Sequence, residues 1–153
     1  MIRMHLKNEK CKPHIGSAGA AAIDLRIELG DERNPSSEMV VLSPGQSISR
    51  TTGVSVEIPE GWCAMIIPRS GLGTKGIEIM NTVGLIDSDY RGEIGITVRN
   101  KGKEDIVIGN YDRIAQMVIV PHMNPHCVEY VSDISELSDT ARGASGFGSS
   151  GVK

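Results

Sequence analysis

The chain has 153 residues, 39% of them apolar and 23% charged, with a net charge of −3. That length fits one domain with a real hydrophobic core. The mild acidity excludes a duplex-coating protein, which needs a broad basic face, so direct nucleic-acid binding is not expected.

In chain order, Met39–Leu42 is a short apolar run fit for a buried strand, and Val54–Ile58 alternates cleanly with period two. Trp62–Ile67 is a second apolar run. Ile77–Met80 and Val83–Ile86 read as two strands of a short hairpin about Asn81. Ile94–Arg99 alternates, Ile106–Ile108 and Met117–Val120 are apolar, and Val128–Val131 is a shorter alternating stretch. Turn signals separate them at Pro44-Gly45, Pro59-Glu60-Gly61, Asn100-Lys101-Gly102, Gly109-Asn110 and Pro121. Ser132–Leu137 predicts a single helical turn, and nothing longer is helical. Many short strands with regular breaks predict an all-β sandwich or barrel. The predicted organisation is one β domain over residues 1–138 and a mobile Gly/Ser-rich tail over 139–153. Aromatic residues make up only 3% of the chain, so the core rests on aliphatic side chains, and oligomerisation would help cover its β edges.

Three cysteines, Cys11, Cys63 and Cys127, are odd in number and widely spaced. A disulfide framework is therefore not expected, and the cytoplasm is the simplest compartment. No apolar run nears the roughly 18 residues of a membrane span, and Met1–Lys7 lacks the apolar stretch of a secretory leader.

Candidate chemistry is densest in the middle of the chain. Pro68-Arg69-Ser70-Gly71-Leu72-Gly73 follows an apolar strand and combines a cation, a hydroxyl and flexible glycines. Such a turn can aim several N–H groups at a phosphate, and it reads equally as a plain polar turn. Gly71–Gly76 and Gly146–Gly151 both fit the spacing G-x-G-x-x-G. A dinucleotide site needs a helix directly after the glycines, and neither match has one, so that site is rejected. Asp87 ends an apolar strand, where a carboxylate can hold a water, and Tyr90 lies three residues on. In Tyr111-Asp112-Arg113-Ile114-Ala115-Gln116, the arginine and the amide can contact phosphate or water; Asp112 and Arg113 read equally as a surface ion pair. Gln116, an amide inside an apolar run, needs a partner. His122, His126 and Cys127 do not make a metal site, because no second cysteine pair is near and Pro125 breaks any helix that would align them. The tail Arg142–Gly151 carries the chain's one phenylalanine, Phe147, among glycines and serines. An arginine, a ring and many backbone N–H groups suit a ligand with a phosphate and an aromatic base, and they read equally as a disordered tail with a stray ring.

Five stretches, Gly19–Leu25, Pro68–Gly73, Gly84–Glu93, Arg113–Gln116 and Arg142–Gly151, stand in the order and spacing of one family. The chain resembles the homotrimeric deoxyuridine triphosphatases (dUTPases). The resemblance implies a jelly-roll β fold and a homotrimer with active sites shared between subunits. It also implies hydrolysis of dUTP to dUMP and pyrophosphate with Mg²⁺, held mainly by substrate phosphates and waters. By the same resemblance Asp87 activates the water and Tyr90 lies under the deoxyribose. Asn81, with the backbone of Gly84 and Ile86, reads uracil. Arg69, Ser70, Gly71 and Gln116 stand on the phosphate side, and Asp24 orders water around the metal or braces the site. Arg142 clamps the γ-phosphate, and Phe147 with Gly148 forms a lid over uracil. The competing readings are a dCTP deaminase-type relative, for which Glu93 is the one nearby glutamate, and a non-catalytic trimeric module that binds nucleotide or protein.

Overall fold

The computed structural model describes residues 1–30, 37–81 and 83–146. They divide into two compact units, within Met1–His122 and Met123–Lys153. The first unit holds β1 (Arg3–Leu6), β2 (Ile23–Arg26), β3 (Met39–Leu42), β4 (Ser47–Thr51), β5 (Val54–Glu57), β6 (Trp62–Pro68), β7 (Ile77–Ile79), β8 (Gly84–Ile86), β9 (Gly95–Asn100), β10 (Ile106–Gly109) and β11 (Arg113–Pro121). One short helix, α1 (Ser70–Gly73), follows β6. The sheets run β2-β11-β6-β8 and β4-β9-β7, with the pairs β1-β5 and β10-β3 beside them, all antiparallel. Several neighbours, such as β2 and β11, are distant in the chain, as the crossing connections of a jelly roll require.

The period-two stretches build the core as their pattern dictates. In β9, Ile96, Val98 and Asn100 point inward while Thr97 and Arg99 do not. Leu25, Ile27, Ile66, Ile79, Ile94, Ile114 and Met117 are fully buried with them. Asn100 is tolerated there because its amide donates to the carbonyls of Leu42 (2.7 Å) and Glu104 (2.8 Å), and its Oδ1 accepts from the Gly102 N–H (2.8 Å). All three cysteines are free. No helix among the described residues is long and apolar enough to cross a membrane.

Two expectations are corrected. β7 and β8 do not form a hairpin: β7 pairs with β9 and β8 pairs with β6, so the two strands belong to different sheets. Alternation in each strand is satisfied by either partner, and the long-range choice is made by the core. Val128–Val131 is not a strand; its residues are exposed and lack a ladder partner among the described residues, without which alternation alone does not order a strand. The expected turn at Ser132–Leu137 is present as a 3₁₀ turn over Ile134–Glu136, closed by an Asp133/Glu136 capping box.

Candidate functional site

Asp24 in β2 stands opposite Gln116 in β11, which in turn faces Ile67 in β6. This row joins two of the five stretches and ends one residue before a third, Pro68–Gly73. Gln116 Nε2 donates to Asp24 Oδ1 at 3.1 Å, which supplies the partner its half-buried amide requires. Arg113 Nη1 donates to Asp24 Oδ2 at 3.2 Å. Arg69, just past β6, places Nε 3.2 Å from Asp24 Oδ1 and donates from Nη1 to the Arg113 carbonyl at 3.0 Å. Two guanidiniums thus converge on one nearly buried carboxylate and leave a positive excess. Arg69 Nε is buried, and despite that short approach it makes no aligned hydrogen bond. A buried donor in that state suits an anionic oxygen. A cleft of about 260 Å³ opens beside Arg69, Leu72, Ile108, Asp112 and Arg113.

Ser70 and Gly71 are exposed at the start of α1. The phosphate cradle expected of this turn is only partly available, because the Leu72 and Gly73 amides both donate to the Arg69 carbonyl (3.1 and 2.9 Å). The glycines lie in a helical turn, whose own hydrogen bonds consume those donors.

A second cluster forms where β8 ends. Ile86 is half-buried and Asp87 exposed. The Tyr90 N–H donates to the Asp87 carbonyl at 3.2 Å, and the Tyr90 hydroxyl donates to the Glu93 carbonyl at 3.0 Å. The ring lies against Gly92, where an added Cβ would come within 2.4 Å of the hydroxyl. Arg91 Nη1 donates to the Ser88 and Tyr90 carbonyls (2.7 and 2.8 Å). The loop leaves both the Asp87 carboxylate and one side of the Tyr90 ring open to solvent, yet ties its own backbone firmly. Asn81 packs on Gly84: a Cβ there would lie 2.9 Å from Asn81 Nδ2 and 3.3 Å from Ile66 Cβ.

The two clusters are apart on one chain. The row through Asp24, Gln116 and Ile67 crosses to β8 one residue before Gly84, three strands away. With strands ~4.8 Å apart and ~3.3 Å per residue, Asp87 stands roughly 14 Å across and roughly 13 Å along from Asp24.

Arg142 lies in the second unit, where its Nε donates to the Ser145 carbonyl at 3.0 Å across a turn containing Gly143 at φ +51°. Phe147 and Gly148 lie outside the described residues. No three His, Cys, Asp or Glu side chains converge on a metal position among the described residues. Asp24 is occupied by two arginines and an amide, which fits a divalent cation carried on a ligand's phosphates and waters rather than one chelated by the protein.

Sequence reasoning missed Arg26 and the backbone of Tyr111, which anchor the turn before Arg113. Nothing in residue type marks a tyrosine for the left-handed conformation it adopts (φ 64°).

The family model for dUTPase matches residues 12–151. A deoxyuridine 5′-triphosphate nucleotidohydrolase of Escherichia phage T5 is 44% identical over 153 residues, covering 100% of both chains. The solved structure of a Staphylococcus bacteriophage 80alpha dUTPase with dUpNHpp is 29% identical, with a TM-score of 0.80 and 99% of each chain covered. A mutant dUTPase from phage phi11 of S. aureus, described as revealing the coordination of a structural Mg(II) ion, is 25% identical with a TM-score of 0.71, covering 88% of this chain and 99% of that one.

Proposed function

The chain belongs to the dUTPase family, and we propose that it hydrolyses dUTP to dUMP and pyrophosphate at a site shared between protomers of a homotrimer. The observation that carries the shared site is the split just described: Asp87 and Tyr90 on one side, and Arg69, Arg113 and Gln116 on the other, too far apart on one chain to serve one triphosphate. A second protomer would bring its cationic cluster to the Asp87 of the first. The 80alpha relative's complex with dUpNHpp, a dUTP analogue, supports the substrate.

In this reading the Asp87 carboxylate takes a proton from a water as the water oxygen attacks the α-phosphorus. The bond from that phosphorus to the bridging oxygen breaks, and pyrophosphate leaves. General-base help of this kind contributes ~10²–10⁴-fold; positioning and charge stabilisation supply the larger share. Arg69 and Arg113, with Ser70, Gly71 and Gln116 beside them, hold the phosphate oxygens. Asp24 would accept from the waters of a Mg²⁺ carried on the substrate's phosphates, which would supply charge neutralisation there. Tyr90, braced on the Glu93 carbonyl, sits flat beneath the deoxyribose and leaves no room for a 2′-hydroxyl. Asn81, with the Gly84 and Ile86 backbone, reads the uracil edge, and such hydrogen-bonded sites discriminate by ~10⁴–10⁵. Arg142 and Phe147–Gly148 supply the phosphate clamp and lid. The physiological result is a low dUTP pool, less uracil in DNA and a supply of dUMP.

Subunit complementation tests this. Asp87→Asn and Arg69→Met are each expected to abolish turnover, with Asp87→Asn still binding the nucleotide. Mixed one to one through a denature–renature cycle, the two inactive chains should regain activity at about a quarter of sites. A mixture as inactive as its parents would refute the shared site, and unchanged turnover in Asp87→Asn would remove that carboxylate from the mechanism.

A further inference from the structure

We propose that Tyr111, captured by Arg26, is a positioning residue that directs Arg113 onto Asp24; its role in turnover rests on the phosphate-binding reading of Arg113 given above. Among the described residues, Tyr111 is the one non-glycine with a positive φ, at 64°. A bulky side chain there is an outlier, and outliers persist where the surroundings over-determine them. The surroundings here do so from three sides. The Tyr111 N–H donates to the Ile27 carbonyl at 2.8 Å, and the Tyr111 carbonyl accepts from Arg26 Nη1 at 2.9 Å. The ring packs on the core with Lys10 Nζ 5.6 Å from its centroid. Asp112 closes the turn: its carboxylate accepts from the Gly109 N–H (2.8 Å) and its carbonyl from the Ile27 N–H (2.9 Å).

Arg113 leaves this turn into an irregular ladder. It faces Arg26 across the strands, yet Ala115 already faces Leu25, so Ile114 is an extra residue in β11. Two like charges therefore oppose each other. Arg26 also lies two residues from Asp24, on the same face of β2, and is a built-in competitor for that carboxylate. The structure removes the competitor by binding Arg26 to two carbonyls, those of Tyr111 and of Lys12 (3.2 Å). Asp24 is then left to Arg113 and Arg69. The left-handed turn is what presents the Tyr111 carbonyl to Arg26.

Tyr111→Val and Tyr111→Gly separate this role from simple packing. Valine resists a positive φ, whereas glycine accepts it. Positioning predicts that Tyr111→Val raises KM for dUTP roughly 10- to 100-fold with little change in kcat, and that Tyr111→Gly stays within about threefold of the parent. A packing role predicts the opposite order, because glycine removes more apolar volume. The Nε–H NMR signal of Arg113, assigned by its loss in Arg113→Lys, reads positioning without reference to activity. It should move in Tyr111→Val and in Arg26→Met and stay in place in Tyr111→Gly. A signal unmoved in Arg26→Met, or moved equally in both Tyr111 variants, overturns the proposal. A parental KM in Arg113→Met would instead overturn the phosphate-binding reading and leave the NMR result to decide positioning alone.

Discussion

Asp24→Asn tests the electrostatics of the cationic cluster most directly. The Asp24 side chain is 9% exposed, and its partners Arg69 and Arg113 are 28% and 38% exposed. Removing one member of a fully buried ion pair costs ~3–5 kcal/mol, because the remaining charge is stranded. Here the stranded guanidiniums reach solvent in part, which screens them, so about 2–3 kcal/mol is expected. For a chain of this size each kcal/mol moves the melting temperature by ~2–4 °C, so the variant should melt roughly 5–10 °C below the parent at matched protein concentration. The two freed guanidiniums should also bind anions better. A ligand at 100 times its Kd adds ~2.7 kcal/mol, so pyrophosphate should return much of the loss in Asp24→Asn and raise the parent by less. Scanning calorimetry of both proteins, with and without pyrophosphate, decides the matter. A melting temperature within about 2 °C of the parent, or an equal pyrophosphate effect in both, refutes the idea that one carboxylate balances two arginines.

Gly53 should not tolerate alanine. Its φ is +64°, and an added Cβ would lie 2.3 Å from Cys11 Sγ and 3.4 Å from Glu28 Oε2. Urea unfolding should show a loss of at least about 2 kcal/mol, of which Cys11→Ala restores the steric part and not the backbone part; an unchanged midpoint would contradict the geometry. The 3₁₀ turn at Ile134–Glu136 should fray in acid. Hydrogen bonds from the Ser135 hydroxyl and amide hold Asp133 below its ordinary 3.8, and those from the Asp133 amide and Ser132 hold Glu136 below 4.5. Both values are depressed by folding, so the stabilisation is present above the ordinary values and lost as pH falls through the folded ones. The Ser135 and Asp133 amide shifts should move toward random coil below about pH 4; shifts that stay fixed down to about pH 2 would refute the capping box as their cause.

Residues whose chemistry restricts their surroundings were the legible ones. Gln116 inside an apolar run announced a missing partner, and Asp24 supplies it. Strands with strict alternation, such as β5 and β9, appear where periodicity puts them. Strands β1, β2 and β4 are not legible in the sequence, because Arg3, His5, Asp24, Arg26, Ser47 and Arg50 interrupt their apolar pattern, and their place depends on a partner distant in the chain. The same non-local choice undid the Asn81 hairpin: Ile77–Ile79 and Gly84–Ile86 are good strands that found other partners.

That correction bears on how the site works. A β7–β8 hairpin would have tied Asn81 and Asp87 to one independent ribbon. Instead β8 is the edge of the sheet that also carries Asp24, Gln116 and the approach to Arg69. A perturbation of β6, which pairs with both β11 and β8, therefore reaches both clusters at once. Ala64, Met65 and Ile66 of β6 each pair on both sides, and Ile66 lies nearest the site: it is 1% exposed, faces Gly84 on one side and Met117 on the other, and stands one residue from the Asp24 row. Sheet continuity thus gives the base-reading and phosphate-holding halves of one chain a common rigid frame, even though each half is proposed to serve a different active site of the trimer.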